Sequence, residues 1–231
     1  IINLQEENQN SLWGIITKRF DLDELYVQIN HTVILRQKHL FQWDLSYVYD
    51  HKEFNLTEYI NQYPDDVDWE LLSKSKSAER LFFYDKNILS FKMWLEMVKT
   101  ILYNDEYYWD FHTLSQNESI NWHPAILKIK TSQWDWQYLS QHSKCFSSYS
   151  TAAAKSSISK NIKQYKDFLD FKLLSDRSDI VFDDTLLQNF INNEWDWKLL
   201  SGSNKLAISN KFLMENQDKD WDWENLSKCQ C

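Results

Sequence analysis

One short motif recurs along this chain and decides most of what it can fold into. Written as apolar-Asp-apolar-x-x-apolar-Ser, it is complete at Trp109-Asp110-Phe111…Leu114-Ser115 and Trp134-Asp135-Trp136…Leu139-Ser140. It is complete again at Trp195-Asp196-Trp197…Leu200-Ser201 and Trp221-Asp222-Trp223…Leu226-Ser227. Looser copies begin at Phe20-Asp21, Trp43-Asp44, Val67-Asp68 and Leu169-Asp170, which makes eight. The Asp residues are separated by 23, 24, 42, 25, 35, 26 and 26 positions, so five intervals cluster near 25 and two are stretched. Self-similarity at such a period marks a repeat architecture.

The Asp at each copy suits a helix N-cap. Its carboxylate accepts a bond from an N–H two or three residues on, and its charge favours the positive end of the helix. The apolar residue before it (N′) and the Leu or Val four after it (N4) form a hydrophobic staple that sets the entry angle of the chain. Ser then follows the staple in six copies, where a poor helix former suits a short helix about to end. Second helix starts fall between the copies at Phe54-Asn55, Phe182-Asp183 and Ile208-Ser209, with weaker versions at His31-Thr32 and Ile120-Asn121. Each repeat is thus two short helices, and such helices depend on stacking against neighbours. The expected fold is all-α, an α-solenoid of about eight helix-hairpin repeats of ~25 residues, two of them with insertions.

Composition narrows the alternatives. Two Gly (Gly14, Gly202) and two Pro in 231 residues leave no phosphate-cradling loop, dinucleotide fingerprint or G-x-S-x-G elbow. A turn-rich barrel or sandwich is disfavoured for the same reason. Residues 1–19 read as the end of a preceding repeat and 20–231 as the array, with insertions around 74–103 and 143–159. The first insertion carries a helix from about Phe91 to Tyr103, because Phe91, Trp94, Leu95, Val98, Ile101 and Leu102 recur at helical spacing. It reads as an enlarged second helix, or alternatively as a knob for a partner. The second, rich in Ser, reads as a connecting loop.

The Trp-Asp-Trp-x-x-Leu-Ser form at 134–140, 195–201 and 221–227 resembles a class of short helical repeats found in large bacterial and giant-virus proteins. The resemblance spans residues 20–231. It implies a scaffold or sensor module attached to other domains, within a bacterial or viral defence-type assembly, and carries over no catalytic residues.

The chemistry-bearing residues do not converge in the sequence. Asp appears once per repeat, whereas catalytic carboxylates must meet on one substrate. His31, His39, His51, His112, His123 and His142 are scattered, and Cys229-x-Cys231 lacks metal-site spacing. Cys145 near His142 is a conceivable nucleophile, but nothing obvious lowers its pKa. Hence no catalytic, cofactor-binding or metal-ligating residue is assigned, and no cofactor is expected. Nine of the twelve Trp lie inside the motif copies, at positions that serve packing rather than base stacking. A net charge of −9 makes a nucleic-acid partner unlikely. No apolar run is long enough to span a membrane, and three Cys suit a reducing, cytoplasmic compartment. Ile1 in place of a start Met and a last copy ending at Cys231 lead us to expect a longer polypeptide. The expected function is a non-catalytic scaffold for a protein partner or for further domains of the same chain. The alternatives are a fragment of a nuclease- or NTPase-type enzyme and a nucleic-acid-binding repeat.

Overall fold

A computed structural model of the protein describes residues 49–50, 55–120, 122–147 and 152–228. Over these residues it is mostly helical. The Asp-capped helices are α2 (Trp69–Lys74), α5 (Phe111–Ser115), α6 (Trp136–His142), α8 (Phe171–Ser175), α10 (Trp197–Ser201) and α12 (Trp223–Lys228). Between them lie α3 (Ala78–Phe82), α4 (Phe91–Tyr103), α7 (Ala152–Tyr165), α9 (Asp184–Asn189) and α11 (Asn210–Glu215), and α1 (Leu56–Gln62) precedes them. The copies at Asp21 and Asp44 and the helix starts at Thr32 and Asn121 lie outside the described residues.

Capping follows the sequence reading. The carboxylate oxygens of Asp68, Asp110, Asp135, Asp170, Asp196 and Asp222 each accept the N–H three residues on, at 2.9 to 3.2 Å. Asn55, Asp183 and Ser209 cap α1, α9 and α11 in the same way. The staple Leu72, Leu114, Leu139, Leu174 and Leu200 are all buried.

What joins one repeat to the next is a hydroxyl relay that the sequence reading did not foresee. The motif Ser bends its Oγ–H back to the carbonyl four residues earlier, as Ser175 does to Phe171 at 2.8 Å and Ser201 to Trp197 at 2.7 Å. The lone pairs left on that oxygen receive the backbone N–H of the next repeat's Asp. Asp135 donates to Ser115 at 3.0 Å, Asp170 to Ser140 at 2.9 Å, Asp196 to Ser175 at 3.0 Å and Asp222 to Ser201 at 3.0 Å. Tyr49 stands at the Ser position of the copy begun by Trp43, and its buried hydroxyl accepts from the Asp68 N–H at 3.0 Å. Ser is therefore more than a weak helix former at a helix end.

Aromatic rings reinforce the same junctions. The ring following one Asp meets, edge to face, the Trp preceding the next. Centroid distances are 4.8 Å for Trp69–Trp109, 4.9 Å for Phe111–Trp134, and 4.8 Å for both Phe171–Trp195 and Trp197–Trp221. Such pairs contribute about 0.5–1.5 kcal/mol beyond their burial. The N′ indoles also donate to carbonyls at the end of the intervening helix, Trp195 to Phe190 at 3.0 Å and Trp221 to Asn216 at 2.8 Å. Those carbonyls would otherwise be orphaned. Two residues beyond the Ser, a buried side chain secures the preceding capped helix. Asn117 donates to the Ser73 carbonyl at 2.8 Å, and Arg177, clamped by Asp179, donates to the Ser140 carbonyl at 3.0 Å.

Two features depart from the expectation. Phe182–Asp183 pairs in parallel with Leu206–Ala207, a two-residue bridge where extended segments lead into α9 and α11. Also, the second insertion is not a loop throughout: from Ala152 it is α7, which runs to Tyr165. Ala is the best helix former, and Ile158, Ile162 and Tyr165 bury one face at helical spacing. The Ser-rich composition hid that stripe. The helix at Phe91–Tyr103 forms as expected, capped by Ser90.

Helices α5, α8 and α10 end alike, with Gln116, Asp176 and Gly202 all at negative φ. Gly202 has φ −93°, and a Cβ there would stand 3.7 Å from its nearest neighbours, an ordinary contact. Gly202→Ala is expected to raise stability by about 0.4–1 kcal/mol by restricting the unfolded chain, measured by urea denaturation. Ser175→Ala strips the part-buried Asp196 N–H of its acceptor and should cost about 1–3 kcal/mol. Asp196→Ala, which removes the cap of the same helix start, should cost about 1 kcal/mol. Equal stability of Ser175→Ala and the parent chain would refute the relay.

Candidate functional site

The residues singled out in the sequence are mostly consumed by architecture. Each described motif Asp is a cap, and Asp110 is held ionised below the usual carboxylate range by the Thr113 hydroxyl and N–H, against the opposing effect of burial. Among the described residues, no three His, Cys, Asp or Glu side chains gather into a metal-binding group. His112 lies exposed beside Asp135, Nδ1 to Oδ2 at 3.2 Å, and His142 packs on Tyr138. His31, His39, His51, Cys229 and Cys231 lie outside the described residues. The indoles are likewise committed to packing: of the described Trp, Trp223 is exposed, at 52%, and Trp136 is half-buried. No described helix is long and apolar enough to cross a membrane.

A cleft of about 1030 Å³ lies where the two insertions face each other. One wall comes from the end of α3 and the start of α4, with Tyr84, Phe91 and Trp94. The base is the 120–128 segment, with Trp122 and His123, and the opposite wall is Cys145 with Ile158 and Asn161 of α7. The aromatic groups form a continuous cluster. Tyr84 lies 5.2 Å from Trp94, and His123 lies 5.0 Å from Phe91 and 5.6 Å from Trp94. The Asn161 amide donates to the Cys145 carbonyl at 2.8 Å and so holds that wall together.

Two details of this cleft stand out electrostatically. First, Trp94 and Trp122 bury their indole N–H groups without an acceptor among the described residues. An unsatisfied buried donor costs about 1–3 kcal/mol, and native structures keep few of them. Every motif Trp at an N′ position described above has its N–H partnered, so these two are exceptions within the same molecule. Second, three lysines, Lys128, Lys144 and Lys160, line the opening against one carboxylate, Glu79. The chain as a whole carries −9, so the cleft reverses the local sign.

His123 is kept neutral because burial lowers its pKa. Its Nδ1 accepts the Ala125 N–H at 3.1 Å, which places the ring proton on Nε2. Cys145, the conceivable nucleophile, is buried and donates its thiol to the Trp122 carbonyl. Burial pushes that thiol up to about 11. It is not activated, and His142 does not line the cleft. Nothing in the sequence foretold the site, because its parts come from three separated stretches, although the two stretched Asp intervals mark where its walls were inserted. With so little thiolate near neutrality, Cys145 should alkylate with iodoacetamide at pH 8 at least about 100-fold more slowly than a free thiol. Site-resolved mass spectrometry of the native protein checks this.

Comparison of the chain with protein-family models, with curated proteins and with solved structures finds no match to any of them.

Proposed function

We propose that this chain is a non-catalytic binding scaffold, an α-solenoid of about eight hairpin repeats that acts as a sensor or assembly module of a larger protein or complex. The repeated junctions support the solenoid. The same hydroxyl relay recurs four times from Ser115 to Asp222, with a ring pair beside three of the four, so each unit completes its neighbour's core. The Trp-Asp-Trp resemblance points the same way.

The observation that carries the binding role is where apolar side chains remain in water. Phe83, Ile88 and Met93 are 60%, 76% and 61% exposed within eleven residues of chain. Scattered exposed hydrophobes need no explanation, but a group of them marks an interaction surface. These three sit in the insertion that interrupts the repeat, and the repeat cores have no need of them. Large aliphatic, aromatic and thioether side chains at an interface suit a polypeptide partner. The partner's docking residues would then be apolar.

The test is affinity selection from a displayed random-peptide library, followed by titration of the recovered peptides. Because all three positions are exposed, Phe83→Ser, Ile88→Ser and Met93→Ser combined should leave stability within about 0.5 kcal/mol per site. The triple variant should bind the selected peptides at least about tenfold more weakly. Met214→Ser, at a position 71% exposed outside the insertion, should bind as the parent does. Failure to select any peptide, or unchanged binding by the triple variant, overturns the reading.

A further inference from the structure

We propose that the cleft between α4 and α7 is a small-molecule site for a nucleoside 5′-monophosphate or a closely related nucleotide, a flat heteroaromatic ring joined to a phosphate. This goes beyond the scaffold reading and does not depend on it.

Three independent observations converge on that chemistry. The first is shape: Tyr84, Phe91, Trp94, Trp122 and His123 make the interior aromatic, and every nucleobase offers a π-face to such a surface. At about 1030 Å³ the open cleft lies at the upper end of the range for small-ligand sites. The second is the missing acceptor. The Trp94 and Trp122 indoles are donors without partners in a protein whose other buried polar side-chain atoms, among the described residues, are paired. A purely aliphatic ligand would leave them so, whereas the ring nitrogens and carbonyls of a base are acceptors. Both indoles line the cleft while their N–H groups are closed to solvent, so a ligand reaches them only where lining side chains move. Phe91, partly exposed and 5.4 Å from Trp94, is the ring placed to give way.

The third observation is charge. Lys128, Lys144 and Lys160 are all exposed, none is ion-paired among the described residues, and Glu79 alone opposes them. Clustered free cations beside an aromatic pocket match a phosphate dianion better than a single carboxylate, which one lysine would neutralise. The neutral His123, donor at Nε2, adds a further hydrogen-bonding edge to the aromatic wall.

The experiment uses the whole chain, with AMP, GMP, CMP and UMP as probes and adenosine, inorganic phosphate and dodecyl phosphate as controls. Isothermal titration calorimetry gives affinity, and thermal denaturation reports binding independently, because a ligand that binds only the folded state raises the melting temperature. At least one nucleotide should bind with a dissociation constant below about 1 mM. Its parent nucleoside and inorganic phosphate should each bind at least about tenfold more weakly. The double variant Lys144→Glu/Lys160→Glu changes only exposed side chains and should abolish nucleotide binding while keeping the parent melting temperature. Trp94→Phe keeps a ring but removes the donor, and should weaken binding at least about threefold. Without ligand, the loss of an unsatisfied donor should spare it the destabilisation expected of a paired one. No nucleotide binding at ~10 mM, binding untouched by the lysine reversal, or tighter binding of dodecyl phosphate than of any nucleotide would each overturn the proposal. Failure here with peptide binding intact leaves the scaffold reading standing; the opposite pattern leaves the cleft standing.

Discussion

A single hydroxyl between two backbone groups holds this structure in register. In the relay, the motif Ser donates within its own helix and accepts from the N–H of the next repeat's capping Asp, whose carboxylate in turn starts the next helix. The end of one helix and the beginning of the next are therefore coupled through three consecutive hydrogen bonds of about 3 Å. Short helices of five to seven residues cannot persist by their own hydrogen bonding, so this coupling decides whether they exist. An edge-to-face ring pair supplies apolar burial beside the Ser115–Asp135, Ser175–Asp196 and Ser201–Asp222 relays, and Leu169 takes the place of the second ring beside Ser140–Asp170. Tyr49 shows that the oxygen matters more than the residue: a phenol reaches the Asp68 N–H from the same place in the motif.

The same coupling explains how a chain with two glycines builds so many turns. Helix ends usually call on a left-handed residue to close orphan carbonyls. Here Trp indoles, Asn117 and Arg177 supply those donors from side chains, and the backbone leaves the helices at negative φ. One described residue adopts positive φ, Lys130 at 48°, and its ammonium lies over the Phe111 and Tyr103 rings at 5.6 and 5.9 Å. Side-chain donors replace backbone flexibility, which is why the composition is rich in Trp and poor in Gly.

Local chemistry was legible in the sequence and distant chemistry was not. An Asp before a helix acts on an N–H three residues away, so its role can be read from neighbouring letters. The Ser acts on an N–H 20 to 30 residues further on, and its second bond appears only when the repeats are stacked. In α7 the misleading signal was composition: serines dominate, yet Ile158, Ile162 and Tyr165 form a buried stripe that outweighs them. The cleft was invisible for a further reason. None of its walls has a motif, and its aromatic and basic residues come together only because α4 and α7 flank the 120–128 segment.

Regularity and departure divide the labour of this molecule. Where the repeat is strict, the indole N–H of the Trp before each Asp has an acceptor, each described Asp caps a helix, and little chemistry is left over for anything else. In and beside the stretched intervals, the donors of Trp94 and Trp122 go unpaired, Lys128, Lys144 and Lys160 have no ion-pair partner among the described residues, and apolar side chains face water. An array that tolerates insertions at one junction without losing register at the others can acquire such surfaces cheaply, because nearest-neighbour coupling confines the disturbance to the units that contain it. The Trp69–Trp109 pair keeps the 4.8 Å edge-to-face contact across the longest interval, as Trp197–Trp221 does across a regular one. The ring pair and the Asn117 bond to the Ser73 carbonyl thus bridge the insertion where the relay does not, since Ser73 Oγ bonds back to the Trp69 carbonyl and receives no N–H from Asp110.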